Sequence, residues 1–169
     1  MAKLWTTVFV AMGSNVGQRQ NHLRYAITQM RTRSEIRRIK FSSVYETSAV
    51  GPKQRPFLNA VISFETTMTP LELLDYLQQL EKNRKRVRRI HWGPRTLDLD
   101  VLVYGSLRLR NARLTLPHPQ LHRRKFVLEP LAEIAPKLKI PTLAKTAQKL
   151  LHYLVDTSQQ IKKSSKKLF

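Results

Sequence analysis

Asp98 and Asp100 are separated by a single leucine, and this spacing is the clearest sign of chemistry in the sequence. The alternation of apolar and polar residues around them predicts a strand from Leu97 to Tyr104. Alternate strand positions share a face, so the two carboxylates stand side by side, about 7 Å apart. Hard oxygen ligands on a rigid strand suit Mg²⁺. The spacing alone also allows a solvated edge strand or pairing with arginines.

Arginines lie close to this pair in the chain. Arg86, Arg88, Arg89 and Arg95 fall within ten residues of one another. Guanidinium groups facing a carboxylate-bound metal would bind a polyphosphate from two sides. Alternatively, the basic run that follows Glu81 is the solvated end of a helix, where cations complement the helix dipole. Only the first alternative gives the aspartates a role.

Two short motifs could contact a nucleotide. His118 lies between Pro117 and Pro119, which stiffen its backbone. Its imidazole could contact a phosphate, or it could make only the local hydrogen bonds of a turn. The run Gly13–Gly17 lacks the lysine of a P-loop and the third glycine of a dinucleotide fingerprint. This run therefore favours a tight turn that caps the first helix.

Two aromatic residues next to predicted loops could bind a planar ring. Phe57 and Phe126 could stack on its faces, although aromatic side chains are more often part of a core. Asn59 lies two residues after Phe57, on the same strand face. Its amide supplies the donor and the acceptor that would read the edge of an amide-like ring. The pattern leaves both a ring site and a core open.

The predicted elements place these residues in one α+β domain. Periodicity and turn residues predict strands at Leu4–Met12, Ile36–Thr47, Leu58–Thr66 and Leu97–Tyr104, a hairpin within Arg108–Thr115, and helices at Gln20–Met30, after a Thr69 cap, and at Phe126–Ile134. This order is that of a ferredoxin-like sandwich, a mainly antiparallel sheet with helices packed on one face, here with a C-terminal helical extension. We expect a single domain over residues 1–160 and a basic, frayed tail over residues 161–169.

The composition restricts the class of protein. Lys and Arg number 31 against 11 Asp and Glu, a net charge of +20 over 169 residues. This charge attracts anions, among them nucleic acids, acidic lipids and phosphorylated small molecules. A hydrophobic content of 41% excludes a disordered basic tail, and no apolar run reaches the ~18 residues of a membrane-spanning helix. The absence of cysteine excludes disulfides and thiolate metal sites, and it suits the reducing cytoplasm.

Several of these motifs, taken in order, resemble one enzyme family. They are the run Gly13–Gly17, Tyr45-Glu46-Thr47 followed by Gly51-Pro52, Phe57-Leu58-Asn59, the run from Trp92 to Asp100, and Leu116-Pro117-His118-Pro119 with Phe126-Val127-Leu128. Over residues 5–136 the chain resembles the 6-hydroxymethyl-7,8-dihydropterin pyrophosphokinases of folate biosynthesis. The resemblance implies ATP-dependent transfer of a pyrophosphoryl group to the hydroxymethyl group of the pterin, with AMP as the second product.

The resemblance also implies a role for each site residue. Asp98 and Asp100 would hold two Mg²⁺ ions, and Arg86 and Arg95 would stabilise the transferring group. The residues that would contact ATP are Gln78, Glu81, Arg88, Trp92 and His118. The pterin would lie between Phe57 and Phe126 and would contact Thr47, Val50, Asn59 and Arg124. Such a site fits phosphoryl-type transfer, which needs alignment and charge neutralisation more than a strong base.

Three positions depart from the family pattern. Lys85 stands where glycine is usual, His91 where arginine is usual, and Lys125 where glycine or arginine is often found. Lys85 and His91 belong to the loop that would close over the substrates, so the departures affect the expected loop kinetics. The aspartate pair and the ring residues are unchanged.

A nucleic-acid-binding protein is the alternative from another class, because clustered arginines and a high pI are its electrostatic signature. It would need aromatic residues on an open sheet face, where Asp98 and Asp100 would place negative charge. The resemblance implies ATP and the pterin as small-molecule partners, and we expect a monomer. We expect no membrane partner and no specific nucleic acid, but weak binding of polyanions.

Overall fold

A computed structural model describes residues 4–49, 51, 53–85, 94–155 and 159–169. The strands and helices, in chain order, are β1 (Thr6–Ser14), α1 (Arg19–Arg31), β2 (Ile36–Phe41), β3 (Tyr45–Thr47), β4 (Phe57–Thr66), α2 (Pro70–Asn83), β5 (Asp98–Tyr104), β6 (Leu109–Arg110), β7 (Thr115–Leu116), α3 (Lys125–Ile134), α4 (Ala147–Tyr153) and β8 (Ile161–Lys163). Within these residues, no helix is long and apolar enough to span a membrane.

The sheet is antiparallel and is built around β4. Along the described chain the strand order is β5-β1-β4-β3-β8, and β2 pairs with the far end of β4 beside β3. The short strands β6 and β7 form the predicted hairpin. A mainly antiparallel sheet with helices packed on it confirms the α+β, ferredoxin-like fold class.

Helices cover both faces of the sheet, so the expectation of helices on one face was wrong. On one face, α1 and α2 pack against alternate residues of the central strands, such as Val10 and Ile62. On the other face, α3 and the region around α4 pack against residues such as Phe9 and Val61. The central strands are apolar at successive positions, and both faces must therefore be buried.

Two of the four long predicted strands differ from the observed strands by more than one residue. The first strand continues through Gly13, because β4 and β5 pair with it on both sides up to this residue. The predicted strand Ile36–Thr47 is divided into β2 and β3 by three residues in which Ser42 continues the pairing with β4. The Ser42 N–H donates to the Val61 carbonyl at 2.9 Å, and the Val61 N–H donates to the Ser42 hydroxyl at 3.0 Å.

The expected capping box of α2 is present. The Thr69 hydroxyl accepts the Glu72 N–H, and the Glu72 carboxylate accepts the Thr69 N–H. Such reciprocal caps satisfy two backbone donors that have no partner within the helix. At the other end of α2, the Glu81 side chain of the last turn contacts β5.

The expectation of a frayed tail at residues 161–169 was wrong. β8 pairs with β3, and Leu168 is 2% exposed within the core under α1 and α2. Backbone pairing and burial of an apolar side chain together fix a segment whose four lysines remain on the surface.

Candidate active site

Gly13 separates the two halves of the candidate site. It pairs with Asn59 on β4 and with Asp98 on β5, so the three residues share one sheet face. A Cβ atom at Gly13 would lie 3.0 Å from Asn59 Oδ1 and 3.9 Å from Asp98 Cβ. The glycine therefore leaves a space between the amide and the carboxylate.

The predicted shared face of the aspartate pair is observed. Leu97, Leu99 and Val101 are buried in the core under α1 and α2, while Asp98 and Asp100 occupy the opposite face. The Asp98 and Asp100 side chains are 16% and 37% exposed. Two carboxylates thus stand together at a place that solvent and ligands can reach.

Basic groups contact both carboxylates. Arg95 forms an ion pair with Asp98. Asp100 Oδ2 lies 3.8 Å from Arg124 Nη1 and 4.0 Å from His118 Nε2. Pairing with arginines was one of the alternatives for these aspartates, and in this structure it accompanies the shared face. Basic side chains that pair with carboxylates in the absence of a ligand can form ion pairs with a polyanionic ligand instead when it binds.

His118 presents a neutral imidazole to this cluster. The backbone N–H of Gln120 donates to His118 Nδ1 at 3.1 Å, which leaves the proton of the neutral ring on Nε2. Burial, together with the charge of Arg124 and against the opposing charge of Asp98, lowers the pKa of His118 to about 4. Above that pH, Nε2 is a hydrogen-bond donor directed towards Asp100.

Glu81 supports the aspartate pair from the other face of the sheet. Its side chain is buried in the last turn of α2, and Oε1 accepts the backbone N–H of Leu99 at 2.8 Å. Leu99 is the residue between the two aspartates. Gln78 lies one turn earlier on α2 and is half-buried. The sequence contained a signal for this contact, because Glu81 lies four residues after Leu77 on the buried stripe of the helix.

Asn15 is a site residue that the sequence interpretation missed. Its N–H donates to the Arg95 carbonyl at 3.0 Å, and its Oδ1 accepts the Arg95 N–H at 2.8 Å. Its Nδ2 donates to Gln54 Oε1 and to the Arg55 carbonyl. The run Gly13–Gly17 therefore does more than form a turn, because Asn15 joins the residues before β5 to the loop before β4. The residue type was visible in the sequence, but partners 39 to 80 residues away were not.

The ring-side residues lie on the other side of Gly13. Asn59 Nδ2 donates to Thr47 Oγ1 at 2.6 Å, and both side chains are buried. This bond orients the amide, with Asn59 Oδ1 on the side of Gly13. Phe57 lies beside the same glycine, with its Cδ1 atom 3.7 Å from the position of a Cβ atom there.

The remaining predicted residues divide between α3 and the part of the chain outside the described ranges. The guanidinium of Arg124 lies over the Phe126 ring, 5.7 Å from its centroid, at the start of α3. Phe126 also packs against the core between the sheet and α3. Val50, Arg86, Arg88, Arg89, His91 and Trp92 lie outside the described residues.

Lys85 adopts a backbone conformation that favours glycine. Its φ is 57°, in the left-handed region, two residues after the end of α2. This is the position at which the sequence departs from the glycine usual in the family. A side chain in this conformation costs about 1 kcal/mol.

An α+β sheet that places carboxylates and arginines beside an amide-bearing ring site has the parts of a transferase acting between a polyphosphate and a ring-bearing acceptor. Residues 9–136 match the family described as 7,8-dihydro-6-hydroxymethylpterin-pyrophosphokinase (HPPK). The chain belongs to this family.

Relatives and solved structures agree with this assignment. The chain is 41% identical over 142 residues to 2-amino-4-hydroxy-6-hydroxymethyldihydropteridine pyrophosphokinase of Bacillus subtilis. This alignment covers 83% of this chain and 85% of the relative. It is 43% identical over 136 residues to the protein of the same name from Haemophilus influenzae. That alignment covers 80% of this chain and 85% of the relative.

The similarity to a solved structure shows the fold alone. A triple mutant of HPPK-DHPS from Plasmodium falciparum superimposes with a TM-score of 0.71 at 13% identity. The match covers 89% of this chain, which spans only 43% of that longer protein.

Proposed function

We propose that this chain catalyses the reaction of its family, the transfer of a pyrophosphoryl group from ATP to 6-hydroxymethyl-7,8-dihydropterin in folate biosynthesis. Family membership over residues 9–136 identifies the reaction. The structural observation that supports the proposal is the position of Gly13 between the Asn59 amide on β4 and the Asp98 carboxylate on β5. Both substrates can therefore meet on one face of the sheet.

The reaction needs no covalent enzyme intermediate. The hydroxymethyl oxygen of the pterin forms a bond to the β-phosphorus of ATP, and the bond from that phosphorus to the oxygen bridging the α- and β-phosphates breaks. AMP leaves with that oxygen, and the hydroxyl proton passes to solvent. The protein then has to align the two substrates and neutralise charge, which are the main requirements of phosphoryl-type transfer.

Asp98 and Asp100 would hold two Mg²⁺ ions. Their donor set fits this ion, because Mg²⁺ is usually bound by one or two carboxylates together with waters and substrate phosphates. The described residues contain no group of three or more His, Cys, Asp or Glu that could hold a metal ion, so the phosphates and waters would complete the coordination. When bound, the ions would supply charge neutralisation for the triphosphate.

The charged residues around the aspartates would contact ATP. Arg95 would exchange its ion pair with Asp98 for the transferring group, and Arg86 would stabilise the same charge. His118 would donate a hydrogen bond from Nε2 to a phosphate oxygen, because Nδ1 accepts the Gln120 N–H and the proton of the neutral ring is therefore on Nε2. The further ATP contacts that we propose are Gln78, Arg88 and Trp92, whereas Glu81, which is buried against the Leu99 N–H, would act through the backbone of β5.

The pterin would bind on the Asn59 side of Gly13. Asn59 Oδ1, which lies on the side of Gly13, would accept a hydrogen bond from the pterin edge, while one N–H of Nδ2 is engaged by Thr47. Phe57 and Phe126 would stack on the two faces of the ring. Thr47, Val50 and Arg124 would complete the contacts.

A product assay tests the proposed function. Purified protein with Mg²⁺, ATP and 6-hydroxymethyl-7,8-dihydropterin should release AMP only when the pterin is present. The Asp100→Asn variant should lose at least 100-fold in kcat, since it removes a carboxylate that neutral amide oxygen does not replace. ADP as the product, or unchanged turnover of the variant at limiting Mg²⁺, would contradict the proposal.

We further propose that the chain acts as a monomer in the cytoplasm and binds nucleic acid only weakly. The net charge of +20 supports some attraction to polyanions, whereas the aspartates on the site face disfavour a nucleic-acid surface there. Size-exclusion chromatography with light scattering tests whether the protein is a monomer. A gel shift with unspecific RNA at physiological salt tests whether it binds nucleic acid only weakly, and tight binding without ATP turnover would favour the nucleic-acid-binding class.

A further inference from the structure

Residues 159–169, here called the C-terminal strap, lie outside the part of the chain that matches the family, yet they pair with a site strand. β3 is only three residues long. One edge of β3 pairs with β4, and β8 pairs with its other edge. The Ser48 N–H donates to the Gln160 carbonyl at 3.0 Å, and the Ser164 N–H donates to the Val44 carbonyl at 2.8 Å. The strap therefore supplies backbone partners at both ends of β3.

Side chains add to this pairing at the end of β3 nearest the site. The Ser48 hydroxyl accepts the Gln160 N–H at 3.1 Å. Gln159 Nε2 donates to the Ser48 carbonyl at 3.3 Å, and Gln159 is itself buried. Ser48 directly follows Thr47, so these contacts fix the backbone next to the hydroxyl that orients Asn59.

The far end of the strap is anchored to α1. Arg24 Nε donates to the Leu168 carbonyl at 2.8 Å, and the Leu168 side chain is buried in the core. Phe169 packs against Phe41 with ring centroids 5.9 Å apart, and the Arg31 guanidinium lies 4.2 Å from the Phe169 centroid. With both ends held, the strap restrains β3 from its outer side.

From these contacts we infer that the C-terminal strap positions the pterin-reading pair Thr47 and Asn59. Asn59 presents Oδ1 to the pterin only while Nδ2 is bound to Thr47, and Thr47 lies on the strand that the strap restrains. Displacement of β3 would let the amide rotate or shift. The aspartates are on β5, which is separated from β3 by the two strands β1 and β4, so phosphate chemistry would be preserved. This inference rests on the proposed function.

The ladder itself offers a matched pair of variants. Hydrogen-bonded and non-hydrogen-bonded pairs alternate along an antiparallel ladder. The bonds between Ser48 and Gln160 and between Val44 and Ser164 show that these are two hydrogen-bonded pairs of the ladder. Glu46 and Lys162 lie midway between them, so they also form a hydrogen-bonded pair. The next pair, Tyr45 and Lys163, is then of the other type, and the Lys163 N–H points away from β3. Proline removes the N–H in either case, but only Lys162→Pro removes a bond to β3.

The experiment compares Lys162→Pro with Lys163→Pro in the full chain. Circular dichroism spectra or melting temperatures close to those of the wild type first establish that both variants are folded. Both variants lose one exposed lysine, so their charge is identical; Lys163→Pro also removes a surface ion pair with Glu133 at 3.8 Å, which contributes little at such exposure. We expect Lys162→Pro to raise the KM for the pterin about tenfold, the factor for about one lost hydrogen bond, with kcat and the KM for ATP within about twofold. Lys163→Pro should stay within about twofold of the wild type in all three constants.

A milder variant keeps the test decisive if Lys162→Pro does not fold. Ser48→Ala removes only the hydroxyl that accepts the Gln160 N–H, and we expect it to raise the KM for the pterin about threefold. Ser165→Ala, on an exposed part of the strap, is its control. An unchanged pterin KM in these variants, or an equal rise in the KM for ATP, would overturn the role of the strap while the wild type still releases AMP. A wild type without pterin-dependent AMP release would overturn the proposed function as well.

Discussion

The carboxylate of Glu81 accepts the backbone N–H of Leu99 at 2.8 Å, directly between the two aspartates of β5. Glu81 is 4% exposed, so this bond is made away from bulk water, where an unsatisfied donor is costly. The end of α2 is thereby joined to the backbone that carries both proposed metal ligands. The contact gives Glu81 a positioning role that does not require it to touch ATP.

Replacement of Glu81 tests this role. Glu81→Ala should lower the free energy of unfolding by about 1–3 kcal/mol and lower kcat, because the Leu99 N–H loses its buried acceptor. Glu81→Gln keeps an acceptor oxygen and should restore most of kcat and of the Mg²⁺ dependence. Steady-state kinetics with varied Mg²⁺ and urea denaturation measure these quantities. If Glu81→Gln instead raised the KM for ATP as much as Glu81→Ala did, a direct nucleotide contact would be the better explanation.

Gly13→Ala is expected to weaken pterin binding without unfolding the protein. The added Cβ would lie 3.0 Å from Asn59 Oδ1, closer than ordinary contacts, and would displace the amide. Gly13 is not among the residues with a positive φ, so alanine meets no backbone strain there. We expect the KM for the pterin to rise about tenfold or more, with a fold that persists and a free energy of unfolding lowered by about 1 kcal/mol.

The control for this variant is internal to the measurement. The KM for ATP should change much less than the KM for the pterin, because the nearest atom is the amide oxygen and the Asp98 side chain is 3.9 Å away. Equal losses for both substrates would contradict the division of the site at Gly13.

Local patterns predicted those features of the site that depend on neighbours in the chain. The shared face of Asp98 and Asp100 follows from strand alternation, and the Thr69 cap from a four-residue motif. Both were confirmed because their partners lie within a few residues. The resemblance of separated motifs, rather than periodicity, identified the family.

Contacts between distant segments were not predictable in this way. Asn15 bonds to Arg95, which lies 80 residues away, and no local pattern specifies such a partner. The three residues of β8 are too few for alternation to distinguish a strand from a basic tail. The second covered face was not predicted, because an apolar run at successive strand positions does not specify which distant helix covers each side. The surplus of positive charge beyond the site has no explanation in the structure.

Lys85→Gly is expected to stabilise the protein. Lys85 has a φ of 57°, which glycine adopts without the steric cost of a Cβ. We expect the free energy of unfolding to rise by about 0.5–1 kcal/mol, measured by urea denaturation. Lys82→Gly is the matched control, since it makes the same replacement inside α2 and should destabilise by about 1 kcal/mol. A loss of stability in both variants would show that the left-handed conformation of Lys85 carries no strain.

His22→Gln is expected to change how stability depends on pH. The His22 side chain is buried, its Nδ1 accepts a hydrogen bond from Arg84 Nε at 2.9 Å, and its pKa is lowered by burial and by the charge of Arg84. The unfolded chain therefore binds a proton near the ordinary pKa of 6.5, whereas the folded protein binds it only at lower pH. The stabilisation is present above pH ~6.5 and is lost as the pH falls towards the folded-state pKa.

Urea denaturation of the wild type and His22→Gln at pH 7.5, 6.5 and 5.5 measures this linkage. The free energy of unfolding of the wild type should fall relative to that of the variant as the pH decreases, because the variant cannot take up the proton in its unfolded state. His152→Gln removes an exposed imidazole and controls for the loss of a surface histidine. A constant difference between the wild type and His22→Gln over this range would mean that His22 titrates alike in both states, and the bond from Arg84 would then not depend on a neutral ring.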